Sequence, residues 1–375
     1  MNRFQCDSSY LTFLKDYSEQ IVARVGVFSP SAEREVLCMS DAGNTVASKL
    51  FGDLIFYKKI LRRDPYRDAF DLYMKAAAIA IREDGSWECG AAAFPLSFWS
   101  VGYYLVNYHR DSFLRTCEEI PLIDGMTLSG RFGTALELAI SCIDYTGASE
   151  AVNLVGRILA EIAGNEELYR ELESLVRENA AARTFSTLEL TTGKCESCKD
   201  CAALSKEYFR AAAQAGYVYA CNNLAVAEAE EIVRLSREAE DTGAGKIENL
   251  GKEAQAPGAG ASELSGRIEN YIHYLTIAAD KYEPYAANRL GLFYKTGEIR
   301  CSAGKVYCKL YINSALAKEY FLKATVYPDS NSAWAYFNLL KHYPLEYDQN
   351  LELMGEYMDT IKVLNPEVYD LVLDL

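Results

Sequence analysis

The thiols with the most suggestive spacing lie in Cys195-Glu196-Ser197-Cys198-Lys199-Asp200-Cys201. Two intervening residues bring a pair of thiolates within reach of one tetrahedral zinc ion, and a structural zinc site needs four ligands. Cys301 and Cys308 supply a second pair, in a segment that an internal repeat aligns with the first. A zinc-binding helical protein using Cys195, Cys198, Cys301 and Cys308 is therefore one expectation. Against it, the two cysteine loops stand two repeats apart, roughly 20 Å when helices pack at 8–10 Å. Cys221, the remaining local candidate, lies inside a helical pattern. The preferred expectation is a surface cysteine loop with no cofactor. Eleven cysteines, an odd number set mostly singly in apolar segments, suit reduced thiols of a cytoplasmic protein better than a disulfide framework. A redox Cys-x-x-Cys role would want a βαβ setting, which the pattern does not offer.

Other constellations are poorer. Thr242-Gly243-Ala244-Gly245-Lys246 resembles a phosphate loop, but Glu240 replaces its first glycine and Ile247 the magnesium-binding hydroxyl. His109, His273 and His342 are the only histidines, and the last two sit in helical apolar patterns. No nucleophile–base pair stands out, so no enzyme is expected. A formal charge of −15 disfavours nucleic acid and the anionic face of a membrane. No uncharged apolar run approaches the length of a membrane span, and the first 30 residues carry no signal-peptide pattern.

The elements that must position any site are helices. Apolar residues recur at i, i+3, i+4 and i+7, as in Tyr271–Ala279 and Leu316–Ala324. They also repeat over longer distances. Ala203-Leu204-Ser205-Lys206-Glu207-Tyr208-Phe209 returns 112 residues later as Ala315-Leu316-Ala317-Lys318-Glu319-Tyr320-Phe321, each followed by Ala (Ala212, Ala324). Counting from Gly216, Ala220 falls at +4, Leu224 at +8 and Ala225 at +9. Counting from Tyr282 gives Ala286, Leu290 and Gly291 at those offsets, then Tyr294 at +12 and Gly297 at +15. Asn331 leads likewise to Ala335, Leu339 and Leu340, and Gly43 to Ala47, Phe51 and Gly52. Ala69–Ala77 copies the Tyr-Phe helix more loosely, and Gly102 with Leu105 copies the helix that follows it. Residues 129–180 are helical by pattern but match poorly. Offsets +4, +8 and +12 share one helix face. Small residues at +4 and +9 let a neighbour approach closely, so neither helix buries its stripe alone and units must stack.

The template Ala-x-x-Tyr-Phe/Tyr-x-x-Ala-Ala-x-x-Gly-x-x-x-Ala-x-x-x-Leu-Gly-x-x-Tyr-x-x-Gly resembles the Sel-one-like repeat, a relative of the tetratricopeptide repeat. It is clearest over 203–226, 270–297 and 315–343, and weaker over 32–57 and 66–105. The resemblance implies an all-α fold, a right-handed superhelical solenoid of helical-hairpin repeats, acting as a protein-interaction scaffold or adaptor with no catalytic residues. Spacing is irregular, and Tyr282 and Asn331 stand where Gly216 does.

The expected organisation is an N-terminal capping helix over 1–30, divergent repeats over 31–194, clearer repeats over 195–345 and acidic capping helices over 346–375. The last segment holds eight carboxylates against Lys362 alone. Residues 240–264, rich in Gly and Ala, read as a flexible loop within one repeat. For partner binding, offset +7 carries Asn223, Arg289 and Asn338, and offset +6 carries Asn222, Asn288 and Phe337. These form a ladder expected on the inner curve, where a protein or peptide would bind and Arg289 would meet a carboxylate. Tyr285 and Trp334 join the candidates because such surfaces use aromatic anchors.

Overall fold

A computed structural model of the 375-residue chain describes residues 30–56, 64–81, 87–91, 93–108, 119–178, 197–241, 259–327, 331–344 and 350–373. Among these residues the secondary structure is sixteen α-helices, two short β-hairpins and one 3-10 turn, so the all-α expectation holds. The chain divides into two compact units, Met1–Ala212 and Ala213–Leu375. The expected capping helix lies outside the described residues except for Pro30.

The first unit contains α1 (Pro30–Asp41), α2 (Thr45–Phe56), α3 (Pro65–Ala77), the hairpin β1 (Ile79–Ile81) and β2 (Trp87–Cys89), and α4 (Leu96–Asn107). It continues with α5 (Pro121–Asp124), α6 (Leu128–Thr146), α7 (Ser149–Ala163), α8 (Glu166–Glu178) and nearly all of α9 (Cys198–Gln214). Neighbours in sequence are neighbours in space: α2 packs on α3, α3 on α4, α4 on α6, and α6 on α7. The second unit runs α10 (Val218–Asp241), α11 (Ala259–Asp280), α12 (Pro284–Thr296), β3 (Glu298–Cys301), β4 (Gly304–Tyr307), α13 (Ser314–Lys323), α14 (Ser332–His342), α15 (Leu351–Leu364) and α16 (Pro366–Val372). It stacks the same way, with α12 also touching α14. That is the contact pattern of a helical-hairpin solenoid.

The repeat offsets translate directly into burial. Ala47, Ala220, Ala286 and Ala335 at +4 are buried, as are Phe51, Leu224, Leu290 and Leu339 at +8. The glycine at +9 has one recurring use. A Cβ on Gly52 would lie 2.7 Å from the Tyr73 ring, and one on Gly156 would lie 2.7 Å from the Phe209 ring. On Gly291 it would collide with the Phe321 ring. Each of those aromatics stands three residues before an alanine, Ala76, Ala212 or Ala324. One helix therefore gives up a side chain, and the aromatic of the following Tyr-Phe-type helix seats on its bare backbone.

Gly156 corrects the expectation that 129–180 matches poorly. Counting from Gly147, Ala151 falls at +4, Val155 at +8 and Gly156 at +9, and the first two are fully buried. The intervening α8 separates this helix from its partner α9, which hides the repeat in the sequence. The same joint puts Phe209 in the first unit, although α9 reads by sequence with the later repeats.

The residue at offset zero lies in the turn that leads into each +4/+8 helix. Gly216 has φ +93° and donates its N–H to the Ala213 carbonyl. Tyr282 takes the same left-handed region at φ +59°, which disfavours a side chain. The segment read as a loop over 240–264 is partly helical: α10 extends through Asp241 and α11 begins at Ala259. Residues 242–258, including Lys246 and Lys252, lie outside the described residues.

Gly156→Ala or Gly291→Ala should each lower stability by about 1–3 kcal/mol, the usual cost of overpacking. Gly266→Ala, in α11 with nothing within 4 Å of the new Cβ, should instead stabilise by about 0.5–1 kcal/mol. Urea melts of the three variants test the contrast.

Candidate functional site

The amide ladder is placed on the helices expected, but its buried members face protein. Asn338 donates Nδ2–H to Asn288 Oδ1 at 2.9 Å, and both side chains are buried. Asn222 donates to Glu283 Oε2 at 2.8 Å. Glu283 is the N-cap of α12, and its buried carboxylate also accepts from Tyr285 N and Ala286 N. These groups therefore tie α14 to α12 and α10 to the head of α12. A polar side chain between stacked helices must find a partner there or lose about 1–3 kcal/mol. Phe337, the third +6 residue, is buried. Asn223 is half-buried. The expectation of an open polar ladder is thus corrected for Asn222, Asn288 and Asn338, whose amides serve the interior.

Arg289 is half-buried and also committed. Its Nη2 donates to the Arg300 carbonyl on β3, and its guanidinium lies 5.7 Å over the Tyr285 ring. It also bonds the Tyr271 hydroxyl, while burial pushes that phenol up to about 12. The hairpin it holds is anchored on its other side by α10, where Arg237 donates to the Ala303 carbonyl and Ser302 bonds Glu230. Arg289 thus clamps α11, α12 and the hairpin together rather than waiting for a carboxylate.

A different offset carries the exposed surface. Position +3 holds Tyr219, Tyr285 and Trp334 in three alternate helices, α10, α12 and α14. Tyr219 is 54% exposed, Trp334 is 40% exposed, and Tyr285 is half-buried beneath Arg289. Tyr285 and Trp334 are recognisable as aromatic candidates in the sequence. Tyr219 was missed, although the same offset count finds it. In the first unit, +3 carries Val46 and Glu150 instead, so the aromatic series belongs to the second unit.

Of the two expected cysteine pairs, the structure describes both members only of Cys301 and Cys308, and it sets them apart. Cys195 lies outside the described residues, and Cys198 opens α9. Cys301 closes β3 opposite Gly304 at the hairpin turn, whereas Cys308 follows β4 at the base, where its N–H bonds Gly297 O. Four residues of strand at about 3.3 Å each separate them by roughly 13 Å, too far for a shared ion. The Cys308 thiol is buried and pushed up to about 11. Among the described residues no three His, Cys, Asp or Glu side chains converge as a metal site.

The first unit holds a buried charged group that the repeat pattern does not announce. Lys49 Nζ bonds Asp53 Oδ2 at 2.7 Å, Tyr73 OH donates to Asp53 Oδ1 at 2.9 Å, and the ammonium lies 5.0 Å over the Tyr73 ring. Tyr73 is also the aromatic seated on Gly52, so this network locks one repeat joint.

No family model matches the chain, and no curated protein sequence matches it. Among solved structures, the crystal structure of c5321, a protective antigen present in uropathogenic Escherichia coli strains displaying an SLR fold, aligns over 92% of this chain and 74% of that chain. Identity is 14% and the TM-score is 0.27, so the traces superpose too loosely to carry fold or function across. The helical architecture rests on this chain's own helices. No helix among the described residues is long and apolar enough to cross a membrane.

Asn338→Ala should destabilise by about 1–3 kcal/mol, because it leaves Asn288 Oδ1 buried without its donor. Chemical denaturation of Asn338→Ala, Asn288→Ala and the double variant would give a coupling energy, and additivity would refute the pairing. A second expectation concerns pH. His342 stacks on Phe321, and burial, then Lys295 and Lys341, hold its pKa below the ordinary 6.5. The unfolded chain takes up that proton more readily, so this contribution is complete above 6.5 and is lost as pH falls. The urea midpoint should drop on acidification less in His342→Phe than in the parent protein.

Proposed function

We propose that the chain is a helical-repeat scaffold that binds a partner protein or peptide along the exposed side of α10, α12 and α14. The observation that carries this reading is the recurrence of Tyr219, Tyr285 and Trp334 at one repeat offset, two of them clearly exposed. Large aromatics bury much area while ordering few torsions, which makes them effective anchors at interfaces. Stacked repeats present such anchors at regular intervals along a line, a geometry suited to an extended segment. Arg289, stacked on Tyr285, rigidifies the middle anchor, while the buried amides keep the helices in register. Its role in this reading is therefore positional.

Affinity purification with quantitative mass spectrometry, comparing the parent protein with Tyr219→Ala/Tyr285→Ala/Trp334→Ala, tests the proposal. The triple variant should lose its partner while keeping a cooperative melt. Trp334→Ala alone should weaken binding by about 2 kcal/mol, or roughly 30-fold, if Trp334 is a central anchor. Unchanged capture by the triple variant would refute the assignment.

A further inference from the structure

Among the described residues, the last two helices leave a face without a neighbour. At 1.5 Å per residue, the 14 residues of α15 span about 21 Å, whereas the seven of α16 span about 10 Å. α16 packs on α14 and α15 but is too short to cover all of α15. The three most exposed large hydrophobics among the described residues are all here: Val363 at 83%, Leu351 at 74% and Leu373 at 62%. Leu371 is exposed as well, and Met354 and Met358 are half-buried.

Helical spacing sorts the outer side of α15 into two adjoining stripes. Leu351, Gly355 and Lys362 form one, bordered by Met358, which is half-buried against the core, and Glu352, Glu356, Asp359 and Val363 form the other. Gly355 has no structural task comparable to that of Gly52, Gly156 or Gly291. A Cβ there would meet nothing within 4 Å, although glycine weakens a helix interior. The open space beside it is the close-approach surface that an aromatic of a later helix fills at the other three. Glu352, Glu356 and Asp359 lie on this face, Glu367 and Asp370 are exposed on α16, and Lys362, the cation on these two helices, lies 5.5 Å over the Tyr369 ring.

We propose that this face docks a basic amphipathic helix of a partner protein. The partner's apolar stripe seats on Leu351 and Gly355 beside Met358, and its Lys or Arg residues meet Glu352, Glu356 and Asp359. Charge selects the occupant. A second copy of this chain would bring two acidic faces together, while a basic helix pairs the carboxylates and covers the leucines. The site is separate from the aromatic side of α10, α12 and α14.

The test uses the full-length protein and a fluorescent synthetic Lys/Leu amphipathic helix, with its Glu/Leu counterpart as control, followed by anisotropy. The basic peptide should bind saturably and more weakly as salt rises, and the acidic peptide should not bind. Leu351→Glu, Leu373→Glu and Gly355→Gln, all at open positions, should each weaken binding about tenfold or more, with melting unchanged in the two Glu variants and no lower in Gly355→Gln. The two Glu variants make the protein more acidic, so general attraction predicts tighter binding; that result, or no change, would overturn the proposal. A homodimer of the parent protein that Leu351→Glu dissociates would also overturn it, assigning the face to a second copy. Loss of peptide binding in Tyr285→Ala/Trp334→Ala with Leu351→Glu unaffected would move the peptide to the aromatic side, sinking this site and leaving the scaffold reading intact.

Discussion

The rest of the architecture depends on an aromatic ring seated on the backbone of a glycine in an earlier helix. At Gly52, Gly156 and Gly291 no side chain could occupy the space that Tyr73, Phe209 and Phe321 fill. The contact sets how closely adjacent hairpins approach. Once that approach is fixed, the alanines at +4 and the larger residues at +8 are buried with it. Apolar burial then supplies most of the stabilisation, while the glycine joint selects one register among the many that would bury similar area.

Polar groups between the stacked helices act under the same constraint. The Asn338–Asn288 bond and the Asn222–Glu283–α12 N-terminus bonds cross helix–helix contacts too tight for bulk water. Neighbouring helices thereby gain directional contacts that apolar packing lacks. Arg289 does comparable work for the β3–β4 hairpin, and Lys49 with Asp53 and Tyr73 for a joint in the first unit. What the interior does not consume includes Tyr219 and Trp334 at +3 and Leu351 and Val363 on α15.

Tyr282 shows how the repeat tolerates exceptions. Its left-handed backbone costs about 1–2 kcal/mol relative to a relaxed conformation. Its ring meets Tyr327 edge-on at 5.5 Å and lies 5.8 Å from Lys323 Nζ. Those contacts offset part of the strain, so the turn keeps its geometry without glycine. Asn331 solves the same connection with an ordinary negative φ, which fits the irregular spacing of the copies.

The sequence by itself determined the helical class, the stacking of hairpins and the burial of offsets +4, +8 and +9. Those follow from angular position on a helix, a local property written in residue spacing. It also contained the Gly147–Gly156 copy and Tyr219, recoverable by the same count but obscured by α8 and by attention to polar residues. Only the tertiary structure decided what stands opposite each side chain. Offset +6 puts Asn288 on a known face, yet whether that face meets solvent or Asn338 depends on a helix 50 residues away. Likewise Cys301 and Cys308 are near in sequence but lie at opposite ends of a hairpin, because antiparallel pairing folds the chain between them. Spacing along a chain fixes direction, whereas partners are fixed by packing between segments that the sequence brings together only through the whole fold.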